Sequence, residues 1–110
     1  MAKRIVAVLA DLIFTVKIGD AAKRAAVEVE FAKTAEDALQ RAAGAAAVIL
    51  DLDFVAPELI AQLKATGVPT IGYVSHVHTD VIQRAKESGC ETVMARSAFV
   101  QKLGELLQRL

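Results

Sequence analysis

The sequence predicts an α/β domain built on a doubly wound, five-stranded parallel sheet, and three observations predict it. Five short apolar runs alternate with segments of helical period, the pattern of consecutive βα units. Three of those runs are apolar almost throughout, as strands covered on both faces must be. The composition, 55% hydrophobic and 24% charged with few aromatics, suits a helix-covered sheet better than a disordered or fibrous chain. At 110 residues the expectation is one domain over residues 1–110, large enough to bury a core and leaving nothing for an output module.

Strands are expected at Arg4–Ala10, Val27–Phe31, Ala46–Leu52, Thr70–Val74 and Thr92–Ala95. The first, third and fourth are the near-continuous apolar runs and belong in the centre. Val27-Glu28-Val29-Glu30-Phe31 alternates instead, which puts it at an edge with its acids toward solvent, and the short last strand takes the other edge. The order 2-1-3-4-5 satisfies both placements. It keeps every crossover right-handed if helices one and five cover one face and helices two to four the other. This is the flavodoxin-like arrangement.

The helices carry their own boundaries. In Thr34-Ala35-Glu36-Asp37 a hydroxyl is placed to cap an orphan amide, and an early acid suits the helix dipole. Gly44 ends that helix. Pro57 fits the first turn of the next, and Gly67 followed by Pro69 ends it. In the last helix Phe99, Leu103, Leu106 and Leu110 recur at helical spacing, with Val100 and Leu107 widening the stripe, so this face is expected to pack on the sheet.

Charge and composition exclude several functions. Thirteen basic residues balance thirteen acidic ones, so no basic field exists to gather nucleic acid. The first apolar stretch is broken at Asp11, too short to span a bilayer and unlike a signal peptide, which makes the cytoplasm the default and a membrane partner unexpected. The single Cys90 reads as a small buried hydrophobe with no disulfide to form. His76 and His78, near Asp80, lack a further Cys or His to complete a transition-metal site. A flavin or other phosphate-bearing cofactor would want a small-residue turn facing its phosphate, whereas Ala10-Asp11-Leu12-Ile13-Phe14-Thr15 offers an acid and bulk, so no flavin is expected.

In an open parallel sheet, ligands bind beyond the carboxyl ends of the strands where the order reverses, here between strands one and three. Asp11 lies just past the first strand, Asp51 at the end of the third with Asp53 two residues on, Ser75 at the end of the fourth and Arg96 at the end of the fifth. Carboxylates gathered on one rim repel unless a cation or proton intervenes, so a hard cation such as Mg²⁺, or Arg96 itself, is the natural neutraliser. Leu12, Ile13, Phe54 and Val55 flank this rim. Exposed, they favour docking of a protein or peptide; otherwise they tuck under the helices.

With these residues in place, the chain resembles a response-regulator receiver (CheY-like) domain along essentially its full length, from Arg4 to Leu110. Ala10-Asp11 stands where that family has an acidic pair, Val48-Ile49-Leu50-Asp51 matches the acceptor strand, Val74-Ser75 the hydroxyl, and Arg96-Ser97 the lysine-proline. The resemblance implies Asp51 as phosphoacceptor, with Ser75 and Arg96 serving the phosphoryl group. It implies Mg²⁺ held by Asp11, Asp51 and the Asp53 main-chain carbonyl. It implies a histidine kinase or other signalling protein as partner, and a two-fold dimer through the last strand and helix. It does not imply an enzyme that turns over a substrate.

The departures point the other way. Ala10 removes one acid and should weaken the metal, and Arg96 is not interchangeable with a compact ammonium. The usual methionine-proline after the acceptor is replaced by Phe54-Val55-Ala56-Pro57-Glu58, and Val93 stands where an aromatic switch residue often sits. Two readings of Asp51 stay open: a working phosphoacceptor, or a relic in a degenerate pseudo-receiver that acts through protein contacts, with Arg96 clamped onto Asp51 as a polar plug.

Overall fold

The structure, a computed structural model, describes residues 3–75 and 79–110. His76 and His78 lie outside the described residues. The elements alternate strictly: β1 Lys3–Val8, α1 Leu12–Arg24, β2 Val27–Ala32, α2 Ala35–Ala42, β3 Ala47–Asp51, α3 Pro57–Thr66, β4 Thr70–Val74, α4 Thr79–Glu87, β5 Thr92–Ala95 and α5 Arg96–Gln108. All strand pairs are parallel and the order is β2-β1-β3-β4-β5, as the burial argument requires. The first strand stops two residues short of the expected Ala10.

Alternation along the strands divides the core in two. Ile5, Ala7, Ala47, Ile49, Ile71 and Tyr73 meet Phe14, Ile18 and Ala22 of α1 and Phe99, Leu103 and Leu107 of α5. Val6, Val8, Val48, Leu50 and Val74 meet α2, α3 and α4 through Ala38, Ala42, Leu59, Ile60, Leu63 and Ala85. Helices one and five therefore share one face. Cys90 is buried in the second layer as a free thiol, its pKa pushed up chiefly by burial. Val100 departs from expectation: it is exposed, because the buried stripe of α5 follows Phe99, Leu103 and Leu107 and leaves Val100 on the flank.

Local chemistry sets the element ends. The Thr34 hydroxyl accepts from the Asp37 amide at 3.1 Å, Pro57 opens α3, and Gly67 closes it in the left-handed region with φ 82°, where a side chain would be strained. Edge strand β2 turns Glu30 toward Arg4 and Arg41, and Arg4 also donates to the Arg41 and Ala43 carbonyls at the end of α2. These contacts fasten the edge strand to its covering helix. The parallel pairing of the whole sheet puts the carboxyl ends of β1, β3, β4 and β5 along one rim.

Candidate functional site

Asp11 sits at the switch between β1 and β3 because β1 ends three residues before it and α1 begins one residue after. Its carboxylate caps α1, with Oδ1 accepting from the amides of Ile13 at 2.8 Å and Phe14 at 3.2 Å. The cap satisfies two orphan amides and places negative charge at the positive end of the helix. The other oxygen, Oδ2, faces the Arg96 guanidinium at 3.5 Å.

Arg96 opens α5 and is held from two sides. Besides Asp11, its guanidinium lies over the Phe14 ring, 4.3 Å from the centroid, within the range of a cation–π contact. The Arg96–Asp51 clamp, expected in one of the two readings of Asp51, is corrected accordingly. Arg96 pairs with Asp11, because capping fixes that carboxylate next to the ring on which the guanidinium rests. Arg96 acts on Asp51 only as a more distant charge.

Asp51 ends β3, half-buried, with Oδ1 accepting from the Asp53 amide at 3.1 Å. Its pKa is raised above the ordinary carboxylate value, first by burial and then by the charges of Asp53 and Asp11, against the lowering influence of the Asp53 amide and Arg96. Desolvation disfavours the charged form, and like charges do so further. The Asp53 carboxylate is itself engaged: Oδ2 accepts from the Ser75 amide at 2.8 Å and from the Ser75 hydroxyl at 2.6 Å. The hydroxyl at the end of β4 thus donates to Asp53.

The structure brings Asp11, Asp51, Asp53, Ser75 and Arg96 to one rim, as the sequence predicts, but it pairs them differently. Asp11 goes with Arg96, and Ser75 with Asp53. As arranged, these donors do not fit Mg²⁺, because both oxygens of Asp11 are occupied, one by the helix amides and one by Arg96. Among the described residues no three His, Cys, Asp or Glu converge to hold a metal ion.

Two participants were not legible in the sequence. The first is Phe14, three residues after Asp11, whose ring seats Arg96; the only signal was an aromatic one turn along α1. The second is Tyr73, the register partner of Asp51 on β4. Its ring stacks on Phe99 with centroids 4.7 Å apart and leans on Phe14 at 4.9 Å. Its hydroxyl is buried without a hydrogen-bond partner among the described residues. Burial, followed by the charge of Asp51, drives the Tyr73 pKa up. Leu12 and Ile13 are 76% and 66% exposed and Phe54 is exposed as well, whereas Val55 packs partly against the α2–α4 layer.

Neither a family profile nor a curated protein sequence matches the chain. Solved structures do. The beryllofluoride-activated DrrB receiver domain superposes with a TM-score of 0.82 at 19% identity, covering 99% of this chain and 97% of that one. A response regulator from Thermotoga maritima gives 0.82 at 16% identity over 99% and 97% of the two chains. The chemotaxis protein CheY4 of Vibrio cholerae gives 0.82 at 18% over 99% and 98%. With strand order, helix placement and acid rim already in hand, this likeness establishes that the chain has the CheY-like fold of response-regulator receiver domains.

Proposed function

We propose that this chain is a degenerate receiver-type signalling domain, a pseudo-receiver that acts through protein contacts and turns over no substrate. One observation carries the reading: the groups that phosphotransfer at Asp51 would call on are already committed to each other, Asp11 to Arg96 and Ser75 to Asp53. Attack by a carboxylate on a phosphoryl donor depends on charge neutralisation and placement. Here the neutralising charge sits on Asp11, and the hydroxyl that would follow the phosphoryl group is tied back.

The exposed Leu12, Ile13 and Phe54 beside the rim support docking of a signalling protein, since apolar side chains grouped at one edge mark contact surfaces. A histidine kinase belongs to the same partner class, and β5 with α5 offers a surface for a second copy. Among the described residues no helix is long and apolar enough to cross a membrane. We place the domain in the cytoplasm.

The test is intact mass after incubation with acetyl phosphate and Mg²⁺, with Asp51→Asn in parallel. No mass gain on either protein is expected. Gain of one phosphoryl group on the native chain alone would replace this reading with that of a working receiver, in which Asp51 accepts the group and Mg²⁺ is drawn in by Asp11, Asp51 and the Asp53 carbonyl.

A further inference from the structure

The first half of α1 is apolar on both sides. Phe14, Ile18 and Ala22 form its buried stripe, yet Leu12, Ile13 and Val16, the last 62% exposed, are the three most exposed large hydrophobic residues among those described. At about 3.6 residues per turn these three fall in one sector roughly 100° wide, directly opposite the buried stripe. A helix that is apolar all round is ordinarily covered all round. Together the three present on the order of 300 Å² of apolar surface, the size of patch that marks a contact site rather than scattered exposure.

The same face continues through Gly19, Asp20 and Lys23 at helical spacing. Glycine in the middle of a helix weakens it. No packing within the chain calls for one here, since a Cβ on Gly19 would meet nothing within 4 Å. What Gly19 leaves is a notch beside Val16. The charges on this face are ordered along the helix: the first turn holds no acid, whereas Lys23 and Arg24 make the last turn basic, and Asp20 stands between.

We propose that this face pairs with the same face of a second copy of the chain, the two α1 helices running antiparallel across a two-fold axis at Val16. Such a contact needs a surface complementary to itself when reversed. About that axis Ile13 falls on the partner's Gly19, a side chain against the notch, and Val16 meets its own counterpart. Asp20 falls beside the partner's first turn, the positive and acid-free end of that helix, and the basic turn at Lys23 falls toward the end that Asp11 caps. The chain carries no net charge, so two copies do not repel one another. A stable interface takes about 800 Å² from each partner; the apolar patch supplies its core and the flanking charges its rim. The inference rests on the reading of Leu12 and Ile13 as part of a contact edge, and it names the occupant. It favours α1 over the β5–α5 surface because, among the described residues, α5 adds only Val100 to the large exposed hydrophobics.

Sedimentation velocity of the full chain over a concentration series up to about 0.5 mM is the test, and the mass should rise from monomer toward dimer. Val16→Glu changes an exposed residue and sets two carboxylates against each other on the axis, so it should weaken association at least about tenfold. Gly19→Gln should weaken the dimer several-fold while raising the thermal stability of the dilute chain, because glutamine is the better helix former; a purely structural role for that position would not separate the two readouts. Lys102→Glu on α5 should leave association unchanged. A chain that stays monomeric throughout would assign the face to a different protein and overturn the proposal. A dimer indifferent to Val16→Glu, or broken by Lys102→Glu instead, would overturn it equally. Asp51→Asn should associate as the native chain does, so failure here and a phosphoryl mass gain at Asp51 are separate results.

Discussion

Replacing Tyr73 with phenylalanine should stabilise the fold by about 1 kcal/mol, although Tyr73 is among the most buried side chains of the α1–α5 layer. The ring is 2% exposed and held between Phe99 and Phe14 at centroid distances of 4.7 and 4.9 Å. Phenylalanine keeps all of that. What disappears is a buried hydroxyl without a partner among the described residues, a group whose desolvation costs about 1–3 kcal/mol. Against this stands an oxygen-sized void of roughly 15 Å³, which costs about 0.4 kcal/mol at ~24 cal/mol per Å³. The net gain corresponds to a rise in Tm of about 4 °C for a domain of this size. Urea denaturation followed by circular dichroism should show a higher midpoint with an unchanged slope. Alkaline pH supplies a second arm. Tyr73 keeps its proton in the folded state past the pH at which an unfolded tyrosine, with pKa about 10, releases its own. The native state then holds more protons than the unfolded state, and stability falls as pH rises through that window. The advantage of Tyr73→Phe should therefore widen above pH ~10. A loss of stability at neutral pH would show that a buried water or another group satisfies the hydroxyl, and the reasoning would fail.

Asp51→Asn should raise the urea midpoint at pH 7. The folded-state pKa of Asp51 is raised by burial and like charges, so its contribution is intact below the ordinary carboxylate value of about 3.9 and is lost as pH rises. The gap between variant and native chain should close by pH ~3, and a gap constant with pH would refute the assignment. Gly72→Ala should lower stability by about 1–3 kcal/mol. A Cβ at that position would lie 2.8 Å from Leu52, which is buried on the α2–α4 side and has little room to yield; a midpoint within error of the native one would contradict the packing.

Sheet order and helix placement were legible because they follow from burial alone. Continuous apolar runs such as Ile5–Leu9 demand two covered faces, and the alternation at Val27–Phe31 demands an edge. The site was legible as a set of residues, since Asp11, Asp51, Ser75 and Arg96 fall at strand ends whatever their partners. Their pairing was not. It depends on which carboxylate oxygen the α1 amides take and on where the sheet twist leaves a guanidinium, neither of which has a period in sequence. Val100 shows the same limit within a helix: a stripe drawn through Phe99 and Leu103 includes it, but a modest rotation of α5 about its axis decides between buried and exposed.

An arginine rather than a lysine just past β5 shows why charge alone misjudges such a site. Both side chains are cationic, and an electrostatic argument sends either toward the greatest accumulation of negative charge, which includes Asp51. A guanidinium is also a weakly hydrated plane that gains from lying on an aromatic face. Phe14 supplies that face, and its own position is fixed by its tilted contact with Tyr73, its stacking on Phe99 and its amide on Asp11. Seated there, Arg96 meets Asp11 first. The aromatic trio thus decides the electrostatics of the rim: it directs the cation toward the helix cap, and Asp51 keeps a raised pKa, opposed by the Asp53 amide and only as a lesser, more distant charge by Arg96.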